Sequence, residues 1–184
     1  MNQPETLLDS AERVLALLKE HQTDALVIGA VALAAHHYVR FTEDLDLATN
    51  ADSLTFRKIA AALRDENLDV ELREPDLNDP LSGVIDISSD GGLIQLVNFG
   101  QTFPAIIDDA LKEADLTVRS DSPLRIVPLP HLVALKLYAG GLKSKADIVE
   151  LLKRNPDADL NEIQSLCERY RLHGLEQILD ERSD

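Results

Sequence analysis

Apolar residues along this chain change period several times, and each change marks an element. From Pro4 to His21 the positions Leu7, Leu8, Ala11, Val14, Leu15 and Leu18 recur at helical spacing and predict a helix with one buried stripe. Gln22-Thr23-Asp24 breaks that period before a short apolar strand, Ala25 to Ile28. Gly29 then opens a small-residue helix, Val31 to His37, and the two histidines His36 and His37 end it as capping or packed residues. Strict alternation follows in Asp44-Leu45-Asp46-Leu47, the mark of a half-buried strand. Asn50 or Ser53 is placed to cap the next helix, which runs to about Glu66 with Leu54, Ile59, Ala62 and Leu63 inward. Leu68 to Arg73 alternates as a strand, and the proline- and acid-rich stretch from Glu74 to Pro80 reads as a loop. Gly83 to Ser88 and Leu93 to Asn98 flank Ser89-Asp90-Gly91-Gly92, whose Asp-Gly pair signals a hairpin. The rest reads as a helix from Phe103-Pro104 to Ala114, short strands at Leu116–Val118 and Leu124–Val127, and a helix from Pro130. A further helix spans Lys143 to Leu151, and two acidic amphipathic helices follow Pro156.

The alternating strand raises a chemical question. Leu45 and Leu47 share one face, and Asp44 and Asp46 share the other with their Cα atoms roughly 6.5 Å apart. Two carboxylates leaning together can hold a divalent cation or help hold a pair of them. The rival reading is a strand that merely wets two acids on its solvent face, and the residues alone leave both open. Gly29 has the same double character. At a helix start it lets a phosphate approach exposed backbone amides, and it equally makes a tight turn.

Composition narrows the partners. The 184 residues suit one domain or a core with a small helical appendage; we take residues 1–128 as a core carrying the N-terminal helix and 129–184 as a helical region packed on it. With 33 acids against 18 lysines and arginines, the formal charge of −15 repels nucleic-acid backbones and argues against broad non-specific DNA binding. It leaves room for a nucleotide bridged through a metal. One cysteine, Cys167, excludes an internal disulfide framework, and no Cys/His spacing suits zinc. Without a signal pattern or an apolar run approaching roughly 18 residues, the expectation is a soluble, cytoplasmic protein with no membrane partner.

The order of these parts resembles the nucleotidyltransferase superfamily, and within it the minimal, abortive-infection (type IV toxin–antitoxin) group. Gly29, His36, Arg40, Thr42, Asp44 and Asp46 match in type and order the pattern of strand, glycine, short helix, Arg-x-Thr and Asp-x-Asp. A second match is Leu132-x-x-Leu135-Lys136-x-x-Ala139 followed by the helix with Asp147-Ile148. Together the matches cover about residues 22 to 152. The resemblance implies an α/β (α+β) fold, a nucleotidyltransferase-like mixed sheet flanked by helices with a C-terminal helical part. It implies Mg²⁺ or Mn²⁺ on Asp44 and Asp46, with an NTP as substrate and its phosphates cradled by Gly29 and Ala30. Thr42 belongs to the same face, while Arg40 and Lys136 would neutralise charge. Two departures stand out. Ala30 replaces a second Gly or a Ser, and Gln95 replaces the third acid, leaving Asp86 on the preceding strand as another carboxylate for the metal. Lys136 can otherwise snorkel to solvent, and Asp147 is expected in a salt bridge between helices. Two functions are compatible with this set. One is transfer of a nucleotide to an RNA end or a protein hydroxyl. The other is a catalytically degenerate module that binds a nucleotide or a protein partner, as in a toxin–antitoxin pair.

Overall fold

The computed structural model describes residues 6–75 and 81–181, so the start of the predicted first helix and most of the Glu74–Pro80 loop lie outside the described residues. In chain order the elements are α1 (Leu7–Glu20), β1 (Leu26–Val27), α2 (Gly29–Ala35), β2 (Asp44–Thr49), α3 (Ser53–Asp65), β3 (Asp69–Arg73), β4 (Val84–Ser89) and β5 (Gly92–Asn98). They continue with α4 (Pro104–Glu113), α5 (Leu129–Ala139), α6 (Gly141–Arg154), α7 (Leu160–Arg169) and α8 (Leu175–Glu181). The result is a five-stranded mixed sheet flanked by helices, as expected.

The sheet order is β1-β2-β5-β4-β3. Only the β2–β5 pair is parallel; β1–β2, β5–β4 and β4–β3 are antiparallel. The predicted hairpin closes with Ser89 opposite Gly92, which leaves a two-residue Asp90-Gly91 turn. Alternation does the rest. Leu45 and Leu47 of β2, Ile85 and Ile87 of β4, and Ile94 and Leu96 of β5 are completely buried. Each such side chain stabilises the fold by roughly 1.5–3 kcal/mol relative to exposure. They form one core with the apolar stripe of α1 (Ala11, Val14, Leu15, Leu18) and with Phe56, Ile59 and Leu63 of α3. The polar positions of β2, β4 and β5 are thereby turned to the opposite face.

Three local expectations need correction. Neither Asn50 nor Ser53 caps α3; the Asp52 carboxylate does, accepting from the amides of Leu54 and Thr55. Leu54 is mostly exposed and Phe56 takes its place inside, because the stripe of α3 is set by contact with α1 and β3. The strands expected at 116–118 and 124–127 are reduced to isolated bridges, Thr117 with Arg125 and Ile126 with Val27. The C-terminal helices assemble around α5, which packs against α6, α7 and α4. Gly140 and Gly141, both at positive φ, turn the chain sharply between α5 and α6. No helix among the described residues is long and apolar enough to cross a membrane.

Candidate active site

β2 carries the centre of the site. Asp44 and Asp46 are half-buried on the face opposite Leu45 and Leu47, and the Thr42 hydroxyl donates to the Asp44 carboxylate. The end of β1 joins them directly, since the Ile28 amide donates to the Asp46 carbonyl at 2.9 Å. Gly29 follows with φ +64°, and a Cβ there would lie 1.8 Å from Oδ2 and 2.7 Å from Cγ of Asp46. Only glycine meets both demands, a left-handed backbone and an empty space filled by the neighbouring carboxylate. Gly29 is thus needed to seat Asp46, whatever else it does.

Asp46 is electrostatically uncomfortable. Burial, and then the adjacent Asp44 charge, push its carboxyl from 3.8 up to about 6, against the pull of Lys136, Arg40 and Lys143. Such a pair of crowded carboxylates has the chemistry of a cation site. Among the described residues no group of three or more His, Cys, Asp or Glu side chains converges to hold a metal. Gln95 brings a further oxygen donor to this face. β2 and β5 pair in the register that sets Asp46 beside Gln95, and β4 sets Asp86 beside Gln95 in turn. The Gln95 amide donates to Asp86 Oδ1 at 2.6 Å, which leaves its carbonyl oxygen as the remaining acceptor. Two carboxylates with an amide oxygen form an all-oxygen donor set that fits a hard cation such as Mg²⁺ or Mn²⁺.

Asp86 is otherwise engaged. Arg73 grips it in a two-pronged pair, Nε to Oδ2 at 2.7 Å and Nη2 to Oδ1 at 3.0 Å. Lys136 is likewise committed. Its ammonium donates to Asp147 Oδ2 at 2.6 Å, and Arg40 Nη2 stands 3.9 Å from the same oxygen. Asp147, 3% exposed, therefore ties α5, α6 and the loop before β2 together, the inter-helix bridge its position suggested. His36 is a packing residue as expected, its ring Nε2 2.8 Å from the Val127 carbonyl.

An open cleft of about 930 Å³ runs over this face. Ala30, Arg40, Thr42, Asp44, Asp46 and Gln95 all line it, whereas Gly29 lies behind Asp46 and Asp86 and Lys136 stand outside the lining. The cleft adds residues that sequence patterns did not single out as site members: Lys143 from the first turn of α6, and Phe41 and Glu43 between the anchored Arg40, Thr42 and Asp44. Lys143 carried one signal, its position four residues before Asp147 on a helical pattern. Phe41 carried none beyond its rarity in a chain with 4% aromatic residues.

No family model matches the chain, and no curated protein matches its sequence. The fold does have clear counterparts. The antibiotic-resistance factor ANT(2'')-Ia, seen in complex with adenylyl-2''-tobramycin, superposes with a TM-score of 0.53 at 13% identity, covering 89% of this chain and 96% of that one. A nucleotidyltransferase-like antigenic protein from Paracoccidioides brasiliensis gives 0.51 at 17% identity over 91% and 89% of the two chains. A nucleotidyltransferase candidate from Thermotoga maritima gives 0.52 at 15% identity over 79% and 92%. The architecture is that of the nucleotidyltransferase fold. At these identities the likeness speaks for fold alone.

Proposed function

We propose that this chain binds a nucleoside triphosphate with Mg²⁺ or Mn²⁺ at Asp44 and Asp46 and transfers the nucleotidyl group to an acceptor hydroxyl, on an RNA end or a protein. The observation that carries the reading is the pair of crowded carboxylates opening into a cleft beside cationic side chains. When bound, the cation would template the phosphates and offset their charge. Arg40 and Lys143, both lining the cleft, would bind phosphate oxygens. In the reaction the acceptor oxygen bonds to the α-phosphorus, the bond to the oxygen bridging the α- and β-phosphates breaks, and pyrophosphate leaves. Gln95 cannot accept the hydroxyl proton, so that proton would pass to water. Phosphoryl-type transfer depends chiefly on positioning and electrostatics, which makes activity without a dedicated base slow rather than impossible. Incubation with α-labelled NTPs, Mg²⁺ and mixed RNA or cell protein should label an acceptor, and Asp44→Asn should abolish labelling. Undiminished labelling in that variant sinks the proposal.

A second reading is a degenerate module that binds a nucleotide or a partner protein without transfer. The Arg73–Asp86–Gln95 chain favours it, because it engages the Asp86 carboxylate and puts an amide opposite Asp46. Gln95→Asp separates the two: a gain in transfer places the defect at that residue, and a protein that binds NTP yet never labels an acceptor supports the second reading.

A further inference from the structure

Resting on the nucleotide reading above, we infer that Phe41 is the platform on which the nucleobase stacks, so that this cleft grips the base through its π-face. The chain has four phenylalanines and no tryptophan. Phe56 and Phe99 are buried, and Phe103 packs its ring on Tyr138 and Tyr170 with centroids 4.8 and 5.0 Å away. Phe41 alone among them is 87% exposed, and it lines the cleft. An aromatic ring left in water forgoes much of the stabilisation that burial would give it, and among the described residues this one joins neither the core nor a ring pair.

Its placement is defined from both sides. Arg40 is held towards Asp147, and the Thr42 hydroxyl is bonded to the Asp44 carboxylate. Chain geometry keeps the Phe41 Cα within about 11 Å of that of Asp44. A nucleotide whose phosphates sit at the carboxylates thus has its base within reach of the ring. Stacking on an aromatic face tolerates every base, because each presents a π-surface. The cleft should therefore bind all four NTPs with modest discrimination.

The test is calorimetric titration of Mg²⁺ with each NTP, and of Mg²⁺ with inorganic tripolyphosphate, into wild type, Phe41→Ala and Phe41→Trp. Replacing an exposed ring costs the fold little, so the variants report on binding. Phe41→Ala should weaken NTP binding about 5- to 100-fold while leaving tripolyphosphate within about twofold. Phe41→Trp should keep NTP affinity and, as the chain's one tryptophan, lose fluorescence on NTP but not on tripolyphosphate. Equal NTP affinity in wild type and Phe41→Ala, or an unquenched tryptophan, overturns the stacking role and leaves the ring as a contact for a macromolecular partner. In that outcome the phosphate site survives if tripolyphosphate still binds. Wild type that binds neither ligand overturns both this inference and the reading beneath it.

Discussion

Asp46→Asn is the substitution in which stability and function should move in opposite directions. In the ligand-free protein the Asp46 carboxyl is pushed up to about 6 from 3.8, first by burial and then by Asp44. A group whose folded value lies above its unfolded one favours the fold most when protonated. Its contribution is complete below pH 3.8 and is lost as pH rises through about 6. Between those limits the change corresponds to about 3 kcal/mol. Asparagine keeps the shape and removes the charge, so at pH 7 Asp46→Asn should be more stable than wild type by about 1–3 kcal/mol. The advantage should disappear near pH 3.5. Urea denaturation of both proteins from pH 3.5 to 8, without divalent cations, measures this directly. Adding Mg²⁺ should then stabilise wild type by mass action and leave the variant unmoved. A variant no more stable than wild type at pH 7 would refute the electrostatic account of the pair. Stabilisation by Mg²⁺ that persists in the variant would place the cation elsewhere.

Three further substitutions test Gly29 and the two lysines. Gly29→Ala must adopt φ +64° and press its Cβ on the Asp46 carboxylate; the left-handed backbone alone costs about 1–2 kcal/mol, or about 2–8 °C in Tm. Adding Asp46→Ala removes the two closest contacts, so the double variant should lose less than the sum of the singles in thermal melts, and strict additivity would refute the clash. Lys136→Met leaves the buried Asp147 to its longer, 3.9 Å contact with Arg40 and should destabilise the fold by about 3 kcal/mol in urea titrations. Lys143→Met should leave stability within about 0.5 kcal/mol but weaken Mg-NTP binding about tenfold, and the reverse pattern would exchange their roles.

The sequence by itself determined the parts of this protein that depend on local period and on near neighbours. Alternation in Asp44-Leu45-Asp46-Leu47 was enough to put the leucines in the core and the carboxylates on the opposite face, because a strand allows only two directions. The Asp90-Gly91 turn was legible for a similar reason, as its chemistry suits few other conformations. Ala30, Arg40, Thr42, Asp44 and Asp46 line one cleft, and their grouping came from the resemblance to nucleotidyltransferases rather than from any period in the chain. Tertiary structure decided the rest. Whether Leu54 or Phe56 faced inward depended on where α3 met α1 and β3, which no period within α3 records. The partners of Asp86 and Lys136 were decided by β3 lying beside β4 and α6 beside α5, which gave Asp86 to Arg73 and Lys136 to Asp147. The same packing left Lys143 and Phe41 at the cleft. A charge chooses among partners by distance, and distances between elements are set only when the core closes.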